Sequence, residues 1–213
     1  QYMTKGETHG FGTARYVDHD FDTYATVSQA WQEFAAYSTS REFKNEVIRA
    51  FRTGLEAHYP PGSFCPEGLY TKYMRSDVAP RRAPKSGSIR MEMQFVLNAI
   101  DNIQIRTPHV DQSKELFAGL FYMKKADDTG TDGGLNVYRN TAGKQWRRVT
   151  GREAVAEDIE VVERVPYKAN TMVMFLNTVD SLHGVEPRDN PNTIRRYVNI
   201  DGHVQEKLFK FVD

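Results

Sequence analysis

The chain has 213 residues, 28 basic against 28 acidic, with 39% hydrophobic and 12% aromatic side chains. That is enough apolar material for one domain over 1–213, and a net charge of zero supplies no field to attract nucleic acid or an anionic membrane. A single cysteine, Cys65, excludes an internal disulfide and a multi-cysteine zinc site, which makes a reducing, cytoplasmic setting the simpler reading.

No apolar run reaches 18 residues, so no membrane-spanning helix is expected, and no basic-then-apolar leader opens the chain. The first residue is Gln1 rather than Met, so upstream residues are an open expectation. The first 20 residues, with Gly6, Gly10 and Gly12, show no period and read as irregular. From Tyr24 the spacing of Val27, Trp31 and Phe34 predicts a helix. A second helix is predicted from Thr39, where Glu42 three residues on completes a capping box. Phe43, Val47, Phe51 and Leu55 form its apolar stripe, and Pro60-Pro61-Gly62 must end it.

Residues 76–88, rich in Pro, Ser, Arg and Lys, read as a loop, with a gate over a site as one functional use. Beyond it the period falls to two. Strands are predicted near 89–97, 103–107, 116–124, 135–139, 159–164, 171–176, 194–200 and 206–212. Turns are marked by Asp101-Asn102, by Thr129–Gly134 and by Asp189-Asn190-Pro191. Helical support and loop over 1–88, followed by about eight short strands over 89–213, predict a mostly β domain: an antiparallel sandwich or barrel buttressed by helices.

Three features of the strand-rich part carry chemistry. In His109-Val110-Asp111 an imidazole and a carboxylate two residues apart face one side, with Val110 facing away. His183 follows the apolar strand Thr171–Leu176, and Arg195-Arg196 lie on the next strand. Two imidazoles and one carboxylate leave three metal positions open, the arrangement of non-haem Fe(II) oxygenases. A closed four-ligand zinc site has no such openings. An arginine fork nearby suits a dicarboxylate.

The ordered stretches TPHVDQS, LFAGLFYM turning into GGLNVYR, TMVMFLN before SLHGVEP, and IRRYVNI resemble the Fe(II)/2-oxoglutarate-dependent dioxygenases. This is the HxD…H…R superfamily that includes the prolyl hydroxylases. The resemblance covers residues 89–200, with 74 positions (183 minus 109) between the two histidines. It implies a double-stranded β-helix, a jelly-roll or cupin-like barrel, with Fe(II) held by His109, Asp111 and His183. It also implies 2-oxoglutarate and O2 as cosubstrates, with release of succinate and CO2 as a substrate C–H bond is hydroxylated. A small-molecule or peptidyl substrate is expected.

Strand parity separates the two arginines. Ile194, Arg196, Val198 and Ile200 form a face suited to packing against helices, so Arg195 points inward with Tyr197 and Asn199. Arg195 is therefore the expected cosubstrate anchor, and Arg196 is expected to reach water. The family's Arg-x-Ser/Thr is Arg-x-Tyr here, with Tyr197 as a candidate second donor. Two other readings stand beside this one: a cupin-like metalloenzyme that does not use 2-oxoglutarate, and a non-catalytic jelly-roll binding module. Asp111 and the arginine speak against the first, and the intact triad against the second. His9, His19, His58 and His203 have no partner at ligand spacing and read as surface or structural, and Cys65 as an ordinary thiol.

Overall fold

The computed structural model describes residues 28–59, 88–98, 106–188 and 192–211, and the backbone of strands at 8–9, 13–16 and 65–71. The expected loop 76–88, apart from Ser88, lies outside these residues, as do the turns at 101–102 and 189–191, His19 and the start of the first expected helix.

Three helices form the support: α1 (Gln29–Ser38), α2 (Arg41–Ala50) and α3 (Arg52–His58). The expected cap at Thr39 is corrected by one residue. Thr39 closes α1, its hydroxyl donating to the Ala35 carbonyl at 2.8 Å. Ser40 caps α2 instead, its Oγ accepting from the Phe43 amide at 3.1 Å. The single predicted helix through Leu55 is also two, because Phe51 ends α2 and begins α3. Its apolar stripe nonetheless turns inward, with Val47 and Leu55 buried.

Ten strands follow in the described residues: β1 (Thr8–His9), β2 (Thr13–Tyr16), β3 (Cys65–Thr71), β4 (Ser88–Asn98), β5 (Glu115–Tyr122), β6 (Leu135–Asn140), β7 (Ile159–Val165), β8 (Thr171–Leu176), β9 (His183–Val185) and β10 (Arg195–His203). They make two sheets. The larger runs β1-β2-β4-β10-β5-β8, with β3 joined in parallel to β4, and the smaller runs β7-β6-β9. All other pairings are antiparallel, so the fold is a mostly β, jelly-roll-like arrangement with helices on one side. The irregular start expected for residues 1–20 is corrected by β1 and β2. The strand expected at 206–212 is absent over its described residues, and Arg106 and Thr107 of the expected 103–107 strand are not in a strand either.

The larger sheet is apolar toward the helices. Ile89, Met91 and Met93 of β4 and Val198 and Ile200 of β10 share one core with Ala35, Val47, Leu55 and Tyr59. Cross-strand partners point to the same side, so the other face is readable from the register. Val96, Tyr197, Tyr122 and Thr171 make one row, Gln94, Asn199, Leu120 and Val173 the next, and Glu92, Asp201, Ala118 and Phe175 a third. This polar, aromatic face carries the site. A second core of Val110, Trp146, Ala154 and Leu182 lies under the smaller sheet and receives Phe209 and Phe211 of the tail.

Candidate metal centre

His109 is not in a regular strand but is held in extended form from both sides. Its amide donates to the His183 carbonyl and its carbonyl accepts from the His183 amide, each at 2.9 Å. On the other side the Ala154 amide donates to the Pro108 carbonyl at 2.8 Å and the Val110 amide to the Arg152 carbonyl at 3.2 Å. Alternation therefore survives without a ladder. Val110 is fully buried in the second core, and His109 and Asp111 face the other way.

Both imidazoles are oriented by backbone acceptors. His109 Nδ1 lies 2.7 Å from the Thr107 carbonyl and His183 Nδ1 2.9 Å from the Ser181 carbonyl. A carbonyl only accepts, so each Nδ1 carries the proton and each Nε2 presents its lone pair. Both Nε2 atoms lie close to one carboxylate, His183 Nε2 3.3 Å from Asp111 Oδ2 and His109 Nε2 3.5 Å from Asp111 Oδ1, the latter nitrogen also accepting from Arg106 Nε at 3.0 Å. The ligand atoms of all three residues lie within 4.8 Å of one another. Three electron-rich groups converging on one point repel each other unless a cation sits between them, so the donor set fits a divalent metal. Gly184 allows the approach: a Cβ there would lie 2.8 Å from the Arg106 carbonyl.

The charge states agree with that fit. Burial pushes the His183 imidazole down to about 4 against the opposing pull of Asp111, leaving it neutral at pH 7. Burial alone would raise the Asp111 carboxyl, but the His183 and His109 imidazoles, in whatever fraction is protonated, and the Arg152 guanidinium draw it well below the usual carboxylate range. The Phe175 ring meets His183 at a tilt of 50°, with centroids 4.4 Å apart. Because Phe175 shares its row with Asp201, this contact places the triad over the polar face of the larger sheet.

Arg195 stands on that same face, 4% exposed. Its guanidinium lies over the Tyr197, Tyr122 and Tyr167 rings at 4.3, 5.3 and 5.3 Å. Nε donates to the Gly133 carbonyl at 2.7 Å and Nη1 to Asn98 Oδ1 at 3.2 Å, while Nη2 is buried without a hydrogen bond. The Tyr122 hydroxyl is also buried and without a hydrogen-bond partner, its phenol raised by burial against the pull of Arg195. Two buried donors left open beside each other ask for an anion. The expected second donor, Tyr197, instead places its ring against the guanidinium. Arg196 lies on the helix-facing side, half-buried, and its expected path to water is corrected in part: its Nε is shielded and makes no hydrogen bond.

His203 takes the structural one of the two roles expected for it. It lies in the polar face, 3.6 Å from Glu92, whose carboxylate also meets Arg90 at 2.9 Å and Gln94 at 2.7 Å. Burial pushes His203 down to about 4, opposed by Glu92. The folded form then binds fewer protons than the unfolded chain between about 4 and 6.5. This contribution is complete above 6.5 and is lost as pH falls toward 4, amounting to about 3 kcal/mol. In urea unfolding of metal-stripped protein at pH 7 and pH 5, His203→Gln should lose clearly less stability on acidification than the wild type. An equal loss would contradict the assignment.

Of the remaining expectations, His58 is exposed, while the His9 and Cys65 side chains lie outside the described residues. Sequence reasoning missed Tyr122, Phe175 and Arg106. Arg106 was discoverable from its position three residues before His109, whereas Tyr122 was not, since its role depends on its place beside Arg195 across the β5–β10 pairing. Phe175 carries no signal that separates it from an ordinary core aromatic.

No family model matches the chain, and no curated protein matches it. Among solved structures, a prolyl-4-hydroxylase from Pseudomonas putida covers 92% of this chain and 95% of its own at 10% identity and a TM-score of 0.34, too loose a superposition to decide fold or function. No helix in the described residues is long and apolar enough to cross a membrane.

Proposed function

We propose that this protein is an Fe(II)- and 2-oxoglutarate-dependent dioxygenase that hydroxylates a C–H bond of a small-molecule or peptidyl substrate, with release of succinate and CO2. The observation that carries the reading is the convergence of two imidazole lone pairs and one carboxylate. No fourth His, Cys, Asp or Glu joins that cluster among the described residues. A three-residue facial set leaves positions for a bidentate oxoacid and for O2. The two sheets then correspond to the halves of a double-stranded β-helix.

Within this reading His109, Asp111 and His183 hold the metal, which supplies the redox chemistry coupling oxoacid oxidation by O2 to substrate oxidation. Arg195 Nη2 and the Tyr122 hydroxyl take the far carboxylate of 2-oxoglutarate, both left without hydrogen bonds for that purpose. The Tyr122, Tyr167 and Tyr197 rings around the guanidinium exclude water, which strengthens its attraction for a carboxylate. The neutral state of His183 keeps its lone pair available at pH 7.

The direct test is succinate formation from 2-oxoglutarate by purified protein with added Fe(II). Succinate should appear only with Fe(II) and vanish on chelation. A folded protein that binds Mn(II) at the triad yet neither binds 2-oxoglutarate nor forms succinate would sink the reading in favour of a cupin-like site.

A further inference from the structure

Two guanidiniums stand over the Tyr167 ring, Arg195 at 5.3 Å and Arg188 at 5.5 Å from its centroid. They differ in what compensates them. Arg188 Nη2 meets Asp128 Oδ1 at 2.5 Å, with the Asp128 side chain fully buried and that of Arg188 9% exposed. Arg195 donates only to neutral acceptors among the described residues, the Gly133 carbonyl and Asn98 Oδ1. One guanidinium is therefore neutralised from within, and the other keeps its charge for an anion.

The paired arginine also reaches the other one through Gly133. Gly133 has φ 93°, and a Cβ there would lie 2.7 Å from Arg188 Cγ and 3.4 Å from Arg195 Cδ, so the glycine is wedged between the two stems. Its carbonyl is the acceptor that holds Arg195 Nε at 2.7 Å. The chain on either side is tied down at the same place. Asp128 Oδ1 accepts from the Gly130 amide at 3.0 Å, and Arg188 Nη1 donates to the Thr193 carbonyl at 2.7 Å. Asn192 donates to the Asp127 carbonyl at 2.8 Å and accepts from the Thr129 amide at 3.2 Å. Asp128 Oδ2 and Arg188 Nε are nevertheless buried without hydrogen bonds. A buried pair so incompletely satisfied adds little stability over an apolar replacement, and its use lies in the geometry it fixes. We propose that Asp128 and Arg188 are positioning residues for the cosubstrate pocket: they fix Gly133, which aims Arg195 at the far carboxylate of 2-oxoglutarate. This role deepens the oxygenase reading and rests on it.

A positioning role is told from a structural one by what its loss leaves untouched. Dissociation constants are measured by calorimetry on Mn(II)-loaded protein for 2-oxoglutarate and for pyruvate, which has the same oxoacid head but no far carboxylate. The wild type should prefer 2-oxoglutarate by about a hundredfold. Asp128→Asn combined with Arg188→Gln removes both charges together and so strands neither in the interior. That double variant should lose about tenfold in 2-oxoglutarate affinity, while its pyruvate and Mn(II) affinities stay within about twofold of the wild type. In an Arg195→Met background the same two changes should cost less than about twofold, because the residue they act through is gone. Arg188→Lys keeps the charge opposite Asp128 but not the fork that also reaches Thr193, and should lose about threefold. The same comparisons in Arg188→Lys decide the matter if the double variant does not fold. An unchanged affinity for 2-oxoglutarate, an equal loss for pyruvate, or an equal loss in the Arg195→Met background would overturn the inference and leave the oxygenase reading standing. A wild type that binds Mn(II) yet shows no preference for 2-oxoglutarate over pyruvate would overturn both.

Discussion

Replacing Asp111 with alanine should abolish succinate formation and weaken Mn(II) binding by well over a hundredfold. Loss of a ligand's outer partner already costs roughly 10- to 100-fold in metal affinity, and loss of the only anionic ligand must exceed that. Stability of the metal-stripped protein should change little, within about 1 kcal/mol, because the carboxylate decorates the core rather than filling it. The Nδ1 protons of His109 and His183 keep their backbone acceptors in the variant, so no new buried donor is orphaned. Removing the negative charge also relieves its repulsion with the two Nε2 lone pairs. Asp111→Asn makes the contrast sharper. Its amide can donate to an Nε2 and hold the imidazoles together without a metal, so it should be at least as stable as the stripped wild type and still bind Mn(II) poorly. Calorimetric titration decides the matter, and wild-type affinity in Asp111→Ala would remove Asp111 from the site.

The parts of this molecule that were legible in the sequence are those where side-chain period alone sets orientation. The strand Thr171–Leu176 is an uninterrupted apolar run behind Asn170, whose backbone is left-handed at φ 57°, and it was read with its exact limits. In β10 the branched apolar residues Val198 and Ile200 mark the helix-facing side, which leaves Arg195 on the opposite face, where the structure buries it. His109-Val110-Asp111 shows that period can be right when the element is wrong. The segment is extended because β9 and residues 152–154 grip it from both sides, so alternation holds without a regular strand. The tail fails for the converse reason. Leu208 packs into the helix-side core while Phe209 and Phe211 enter the one around Trp146, and serving two cores gives an apolar pattern that looks like a strand without a partner strand. The Thr39 cap was missed because Thr39 and Ser40 are both good caps by composition. Only the geometry shows that the threonine hydroxyl is spent on the preceding helix. Tyr122 could not be singled out because its role depends on an unpaired hydroxyl lying next to Arg195, a relation between β5 and β10 set by their pairing register.

Arg195→Met should raise the Michaelis constant for 2-oxoglutarate steeply, and Arg196→Met only slightly. Arg195 is buried, stacked among three tyrosines and left with Nη2 unpaired, so an anion bound there meets a desolvated charge-assisted donor. Truncating one partner of such a buried pair costs about 3 kcal/mol, roughly a hundredfold in affinity. Arg196 sits on the other side of β10, facing the helices, where its loss removes packed methylenes but no donor from the pocket. The two variants thus separate a binding role from a structural one on adjacent residues of a single strand. Arg195 also donates to the Gly133 carbonyl, so its methionine variant carries a folding cost of its own. Arg195→Lys resolves this, since it preserves the charge but cannot reproduce the fork that reaches Gly133, Asn98 and the anion together. Its affinity for 2-oxoglutarate should fall between the wild type and the methionine variant. Tyr122→Phe provides the independent check: it removes one unpaired hydroxyl and no packing, so it should weaken 2-oxoglutarate binding by about tenfold, one hydrogen bond to a charged group. The measurement is calorimetry with Mn(II)-loaded protein, which reads binding apart from turnover. An Arg196→Met defect larger than that of Arg195→Met would mean that the carboxylate binds on the helix-facing side, against the burial pattern of the whole sheet.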